Sequence, residues 1–170
     1  MVSLTFLVTT ALMAASGAEL VDKALRSEEF AKAHRYAYLL EREVADKAPL
    51  QVLDGQLLVK PASGLGIYEK APKNRIAGEE IYIYAQIRNH KSQRSTLGYQ
   101  LHLVSDLVAF DQSGNRLAAD QGFGESRFIA SVEHRDTFIN IALKSKGLPA
   151  GAYVFRLVVH DKVGSKSGFV

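Results

Sequence analysis

The groups in this sequence best suited to move a proton near neutral pH are five histidines, His34, His90, His102, His134 and His160, because imidazole alone has an unperturbed pKa close to that range. They are scattered, and none falls in an H-x-x-x-H or H-E-x-x-H pattern. His102 and His160 lie in stretches that alternate as strands, and could meet across a sheet with Asp106 or Asp161 orienting them, the arrangement a metal site needs. His34 stands beside Arg35 in a helical stretch, and His90 and His134 stand among polar loop residues. Glu79–Glu80 and Asp106 with Asp111 are the nearest carboxylate pairs, but a glycosidase sets two carboxyl groups about 5–10 Å apart across a cleft, which a compact sandwich of this length usually lacks. Ser63, Ser105, Ser126 and Ser131 have no G-x-S-x-G surroundings. Gly64-Leu65-Gly66 and Gly122-Phe123-Gly124 precede no helix and read as turns rather than phosphate cradles. Asp111-Gln112-Ser113-Gly114-Asn115 lacks the alternating acids and distal glutamate of a calcium loop. With no cysteine, disulfides, thiol catalysis, zinc ribbons and cysteine-ligated clusters are excluded together. The expectation is a non-enzyme with no catalytic residue, no metal and no cofactor.

Binding chemistry has better candidates. Arg88, His90, Lys91 and Arg94, interspersed with Asn89, Ser92, Gln93 and Ser95, make a basic loop suited to an anionic surface such as acidic polysaccharide or phospholipid headgroups. Tyr82 and Tyr84, with Tyr99 as a further member, form an aromatic stripe that could stack on sugars, anchor a protein, or seat a helix. The net charge of +3 is too small for a nucleic-acid binder.

Elements must hold these residues in place. Leu20–Lys47 contains neither glycine nor proline; Phe30, Ala33, Ala37, Leu40 and Val44 recur at spacings of three and four, with Tyr36 flanking, which predicts an amphipathic helix. Ser27 followed by Glu28 and Glu29 predicts a break near Arg26, with Ser27 as N-cap of a second helix. The run LRSEEFAKAHRYAYLLERE resembles one helix of a tetratricopeptide-type hairpin, and a single copy must dock on the domain behind it or on a partner. From Pro49 the period changes to two. Asp54–Gly55 predicts a hairpin turn between Leu50–Leu53 and Gln56–Lys60, and 64–68 leads into a short strand. Glu80–Arg88 alternates Ile81, Ile83, Ala85 and Ile87 against Tyr82, Tyr84, Gln86 and Arg88. Further strands are predicted at Tyr99–Phe110 with a bulge at Ser105–Asp106, at Arg116–Ala118 after the Asp111–Asn115 turn, at Phe128–Ile129, at Thr137–Leu143 and at Tyr153–His160, with Gly168-Phe169-Val170 closing the chain. About seven short strands predict an antiparallel sandwich.

Residues 1–18 contain no Asp, Glu, Lys or Arg, and an apolar run ends in small residues, a signal-peptide outline too short to span a bilayer. Leu148-Pro149-Ala150-Gly151-Ala152-Tyr153 before an alternating strand is similar to the penultimate strand of an immunoglobulin-like sandwich, with Tyr153 placed as its tyrosine corner. Together with Ala77-Gly78-Glu79 before IYIYAQIRN, and FDQSGNRLA, it makes residues 57–170 resemble an uncharacterised family of exported bacterial sandwich proteins. That resemblance implies fold and export and carries over no catalytic residue.

The expected organisation is a signal peptide over 1–18, a helical segment over 19–48 and an immunoglobulin-like β-sandwich over 49–170, within one domain's worth of chain at 170 residues. The expected function is a non-enzymatic binding or structural module of the bacterial envelope, periplasmic or secreted. It would recognise a protein or polysaccharide through its loops or Tyr82 and Tyr84, without nucleic acid and without a membrane span after leader removal. The alternatives are a small metal-dependent envelope enzyme using His102, His160 and Asp161, or a protease-inhibitor-like sandwich presenting 89–97 or 120–127.

Overall fold

The structure, a computed structural model, describes residues 15–72, 80–144 and 151–170. Most of the leader reading, the Ala77-Gly78-Glu79 motif and the start of the Leu148–Tyr153 motif lie outside these residues. The chain divides into two compact units, Met1–Val44 and Ala45–Val170.

In the first unit, α1 (Gly17–Arg26) and α2 (Phe30–Lys47, whose last turn belongs to the second unit) are separated by a short break. Ser16 and Glu19 form a reciprocal capping box that opens α1. The break falls where the sequence places it, but Ser27 caps the C-terminus of α1 rather than the N-terminus of α2. Glu28 takes a left-handed conformation (φ 56°) there, and the carbonyl of Glu29 accepts the first α2 bonds from Lys32 and Ala33. Within this unit Ala24 and Ala33 are buried, and a Cβ on Gly17 would lie 3.1 Å from Leu40 Cδ1. Phe30 and Val44, predicted on the buried stripe, are 65 % and 57 % exposed.

The second unit is an antiparallel β-sandwich. One sheet has the order β1 (Gln51–Leu58), β2 (Glu80–Arg88), β6 (Asp136–Lys144). In the other, β4 (Gly98–Phe110) is flanked on one side by β5 (Arg116–Ala130) and on the other by β3 (Gln93–Ser95) and β7 (Val154–Asp161), with β8 (Lys166–Phe169) beyond β7. The order 1-2-6 against 5-4-7-8 is an immunoglobulin-like arrangement. The core is supplied by the inward halves of the alternations: Ile81, Ile83, Ala85 and Ile87 from β2, Leu101, Leu103 and Leu107 from β4, Ile139, Ile141 and Leu143 from β6, and Leu157 and Val159 from β7. Tyr153 stands immediately before β7, its ring centroid 6.5 Å from that of Phe155. Val170 extends the β7–β8 pairing by exchanging two backbone bonds with Leu157.

Several expectations need correction. Asp54–Gly55 makes no hairpin; β1 is continuous, and the pair forms a bulge between Leu53, opposite Gln86, and Gln56, opposite Tyr84. Asp54 has the positive φ expected of a turn residue (52°), but β2 offers a partner on both sides of it, so the strand resumes. Residues 64–67 form a turn, not the lead into a strand. The irregularity at Asp106 is real but belongs to the partner strand, where 121–123 loop out between Asp120 and Gly124. The two short strands predicted near 116 and 128 are one 15-residue strand, β5, so 120–127 is no presented loop.

Candidate functional site

The six residues singled out for binding do not form one surface. Tyr84 is 0 % exposed. It does alternate onto the face of β2 away from the main core, but residues 59–70 fold over that face. Its hydroxyl accepts from Gly66 N at 2.9 Å, and its ring lies 4.6 Å from Tyr68 and 5.8 Å from Phe138, centroid to centroid. Asn140 on β6 fastens the same cover, accepting from Ala62 N and donating to Ala62 O, both at 3.0 Å. The tyrosine face is thus a second small core, and its cover is this segment. Tyr68 donates to Asp54, which with burial pushes its phenol up to about 12. Tyr82, half-buried, donates to Glu80 at 2.8 Å, and this bond, more than burial, raises its phenol. Tyr99 belongs to the other sheet.

The basic loop also comes apart. Arg88 faces Asp136 at 3.5 Å. His90 turns inward and is 8 % exposed, and among the described residues neither ring nitrogen has a hydrogen-bond partner. Lys91 is held by its backbone: its N–H donates to Asp161 Oδ2 at 2.7 Å. Arg94 is exposed on β3, opposite Tyr99.

Burial lowers the pKa of His90 more strongly than the nearby carboxylates of Asp161, Asp136 and Glu133 raise it, and His134 lowers it further. Above the unfolded value of about 6.5 the ring is neutral in both states. Below it the unfolded chain takes up a proton that the folded chain resists, so stability is lost as pH falls from about 6.5 towards the lower folded value. Denaturant midpoints at pH 7.5 and pH 5.5 should therefore differ less in His90→Leu than in the native chain.

The outer face of the five-stranded sheet carries the polar side chains that do converge. His102 and Val104 of β4 lie opposite Arg127 and Glu125 of β5, and Val104 lies opposite His160 of β7. His102 Nε2 is 2.9 Å from Glu125 Oε1, which also accepts from Arg127 Nη2 at 3.1 Å. One step along, His160 bridges Asp106 Oδ2 through Nε2 and Ser167 Oγ through Nδ1, both at 2.8 Å. Asp106 Oδ1 accepts from Gly122 N at 2.8 Å, where the bulge of β5 takes a positive φ of 67° that suits glycine. That backbone bond first, and His160 second, hold the Asp106 carboxyl below the usual carboxylate range. The belt from Gly122 to Ser167 thus ties four strands together.

Its Ser-His-Asp composition is that of a nucleophilic hydrolase, but Ser167 lies exposed within a strand, in register with His160. A nucleophile elbow would instead present its Oγ from a sharp strand-to-helix turn. The set His102, His160 and Asp161 does not assemble either. Asp161 points to the opposite side, is 1 % exposed, and accepts from Lys91 N, Val163 N and Gly164 N. Among the described residues no group of three or more histidine, cysteine or acidic side chains is placed to hold a metal ion. Asp111, weighed as a calcium ligand, is occupied by its own turn: it accepts from Ser113 N and from the backbone and side chain of Asn115, and the Asn115 side chain foremost lowers its pKa.

Beside His102 the sheet face opens into a depression of about 810 Å³, lined by Gln93, Gln100, His102, Arg127, Ile129 and Lys162, among others. Lys162 is placed by its backbone N–H, which donates to His102 O at 2.9 Å. No known family model matches the chain, and no curated protein does. The site is therefore read from its own chemistry: two carboxamides, two cations and an apolar lining that includes Ile129 and Val163. Sequence reasoning missed Arg127, Gln100 and Lys162. The signal that could have found them is the alternation Glu125, Arg127, Ile129 beside Gln100 and His102, which has meaning only once β4 and β5 are known to pair. No described helix is long and apolar enough to cross a membrane.

Proposed function

We propose that this protein is a non-enzymatic binding module of the bacterial envelope, and that it recognises an acidic glycan on the outer face of its five-stranded sheet. The observation that carries the reading is the depression whose lining sets Arg127 and Lys162 with Gln93 and Gln100 beside apolar residues including Ile129 and Val163. Carboxamides supply paired donors and acceptors for sugar hydroxyls. The cations supply charge-assisted bonds to a carboxylate or sulfate group, and Ile129 and Val163 give the apolar face of a sugar ring a surface to lie on. The composition of residues 1–18, rather than the sandwich, supports export.

Binding to immobilised acidic polysaccharides tests this. Arg127→Ala and Lys162→Ala should each weaken binding about tenfold, in keeping with loss of one charge-assisted hydrogen bond, and affinity should fall as salt rises. Arg116→Ala, removing an exposed cation from the other end of β5, should leave binding unchanged. Equal retention on neutral dextran, or indifference to both site substitutions, would overturn the reading. Capture of an envelope protein competing for the same face would replace glycan by protein.

A further inference from the structure

The outer strand of the larger sheet is long and unguarded over half its length. β5 pairs only with β4 among the described residues, so its other side presents free N–H and C=O groups, a ready template for another strand. The bulge at 121–123 interrupts the edge, but from Gly124 to Ala130 the register with β4 is regular, and most of that stretch is exposed, with Phe128 39 % and Ile129 47 % accessible. Proteins commonly blunt such edges with charged side chains that would repel a second copy. Here the charges are of opposite sign and symmetrically placed: Glu125 and Arg127 flank Ser126 and share the outer face, while Gly124 and Phe128 are the next pair out and face inward, opposite Ser105 and Leu101.

We propose that two copies of this chain pair antiparallel through β5, on a two-fold axis at Ser126. In that register Glu125 of each copy stands opposite Arg127 of the other, giving a ring of four alternating charges in place of one exposed intrachain pair. Phe128 stands opposite Gly124, which has no side chain; a Cβ there would meet Ile141 of the facing sheet at 3.0 Å, so the position is open only towards the edge, where an aromatic ring from across the strand covers it. Ser126 meets its own copy, a hydroxyl pair of the kind that supports cross-strand contacts. The two larger sheets become one continuous sheet with their outer faces on the same side. If that face binds glycan as proposed above, the dimer offers two depressions to one polymer, and the second engagement is intramolecular; dimerisation itself does not depend on that reading.

The test is sedimentation equilibrium on the full chain without ligand, at concentrations up to the high-micromolar range. The native chain should reach twice the monomer mass. Glu125→Arg places Arg opposite Arg across the axis and Arg127→Glu places Glu opposite Glu, so each variant alone should be monomeric. An equimolar mixture should dimerise again, because the mixed pair sets two Arg against two Glu, and the double variant E125R/R127E should dimerise by itself. Unfolding midpoints verify that each variant is folded; should either single variant fail to fold, the double variant still decides, since loss of its dimer contradicts the charge register. A native chain that stays monomeric, single variants that still dimerise, or a mixture that stays monomeric would each overturn the proposal. Glycan binding by a monomeric native chain would overturn the dimer and leave the binding site standing.

Discussion

Asp161→Ala is expected to cause one of the largest losses of stability available to a single substitution in the sandwich, about 3–4 kcal/mol, read as a fall of about 10 °C or more in the melting temperature. The carboxylate is fully enclosed and is the acceptor for three backbone donors: Lys91 N at 2.7 Å, Val163 N at 3.0 Å and Gly164 N at 2.9 Å. It therefore ties the segment after β2 to the turn after β7, two stretches 70 residues apart. Alanine leaves those donors without an acceptor in a confined space, and each buried unsatisfied donor costs about 1–3 kcal/mol. Asn should give an intermediate loss, because its oxygen can keep part of the set while its NH₂ faces a donor. Gly164 permits the close approach: a Cβ there would sit 2.4 Å from Asp161 Oδ2. A thermal melt of Asp161→Ala matching the native chain would show that the turn is held by something else.

Tyr84→Ala is expected to cost about 3–5 kcal/mol, the range for truncating a buried aromatic, and Tyr84→Phe about 1 kcal/mol, the worth of the bond that Gly66 N would lose. Against a domain stability of about 5–15 kcal/mol, the first change leaves a marginal fold. An exposed ligand-stacking tyrosine would behave in the opposite way, losing binding on truncation while its melting temperature stayed in place. Chemical denaturation of the two variants separates these cases: the burial of Tyr84 beneath Ala62, Gly66 and Tyr68 requires the alanine change to be severalfold more damaging than the phenylalanine change.

The same residue shows what could be read from the sequence and what could not. β2 was legible because one face is buried along its whole length, so Ile81, Ile83, Ala85 and Ile87 imposed a clean period of two. Alternation placed Tyr84 on the other face, but nothing local announces that 59–70 folds back over it, since the fastening pairs are long-range: Asn140 reaches Ala62, 78 residues away. From sequence β5 reads as two fragments, because an edge strand exposed on much of both faces carries almost no burial pattern. The sequence offers Asp106 as a partner for His160, since both lie on strands with a clear alternation. Glu125 and Arg127 are not offered, because their strand is not recognisable from sequence. Asp54–Gly55 had the chemistry of a turn, and only the register with β2 decides that it is used as a bulge.

The central claim, that ligand is taken on the outer face of the five-stranded sheet, is tested most directly by titrating ¹⁵N-labelled protein with an acidic oligosaccharide and following the backbone amides. The account predicts shifts that saturate and concentrate at Gln93, Gln100, His102, Arg127, Ile129 and Lys162, with β2 and β6 silent. Saturating shifts confined to the opposite sheet, or an unchanged spectrum at ligand concentrations that saturate the immobilised-polysaccharide assay, would contradict it.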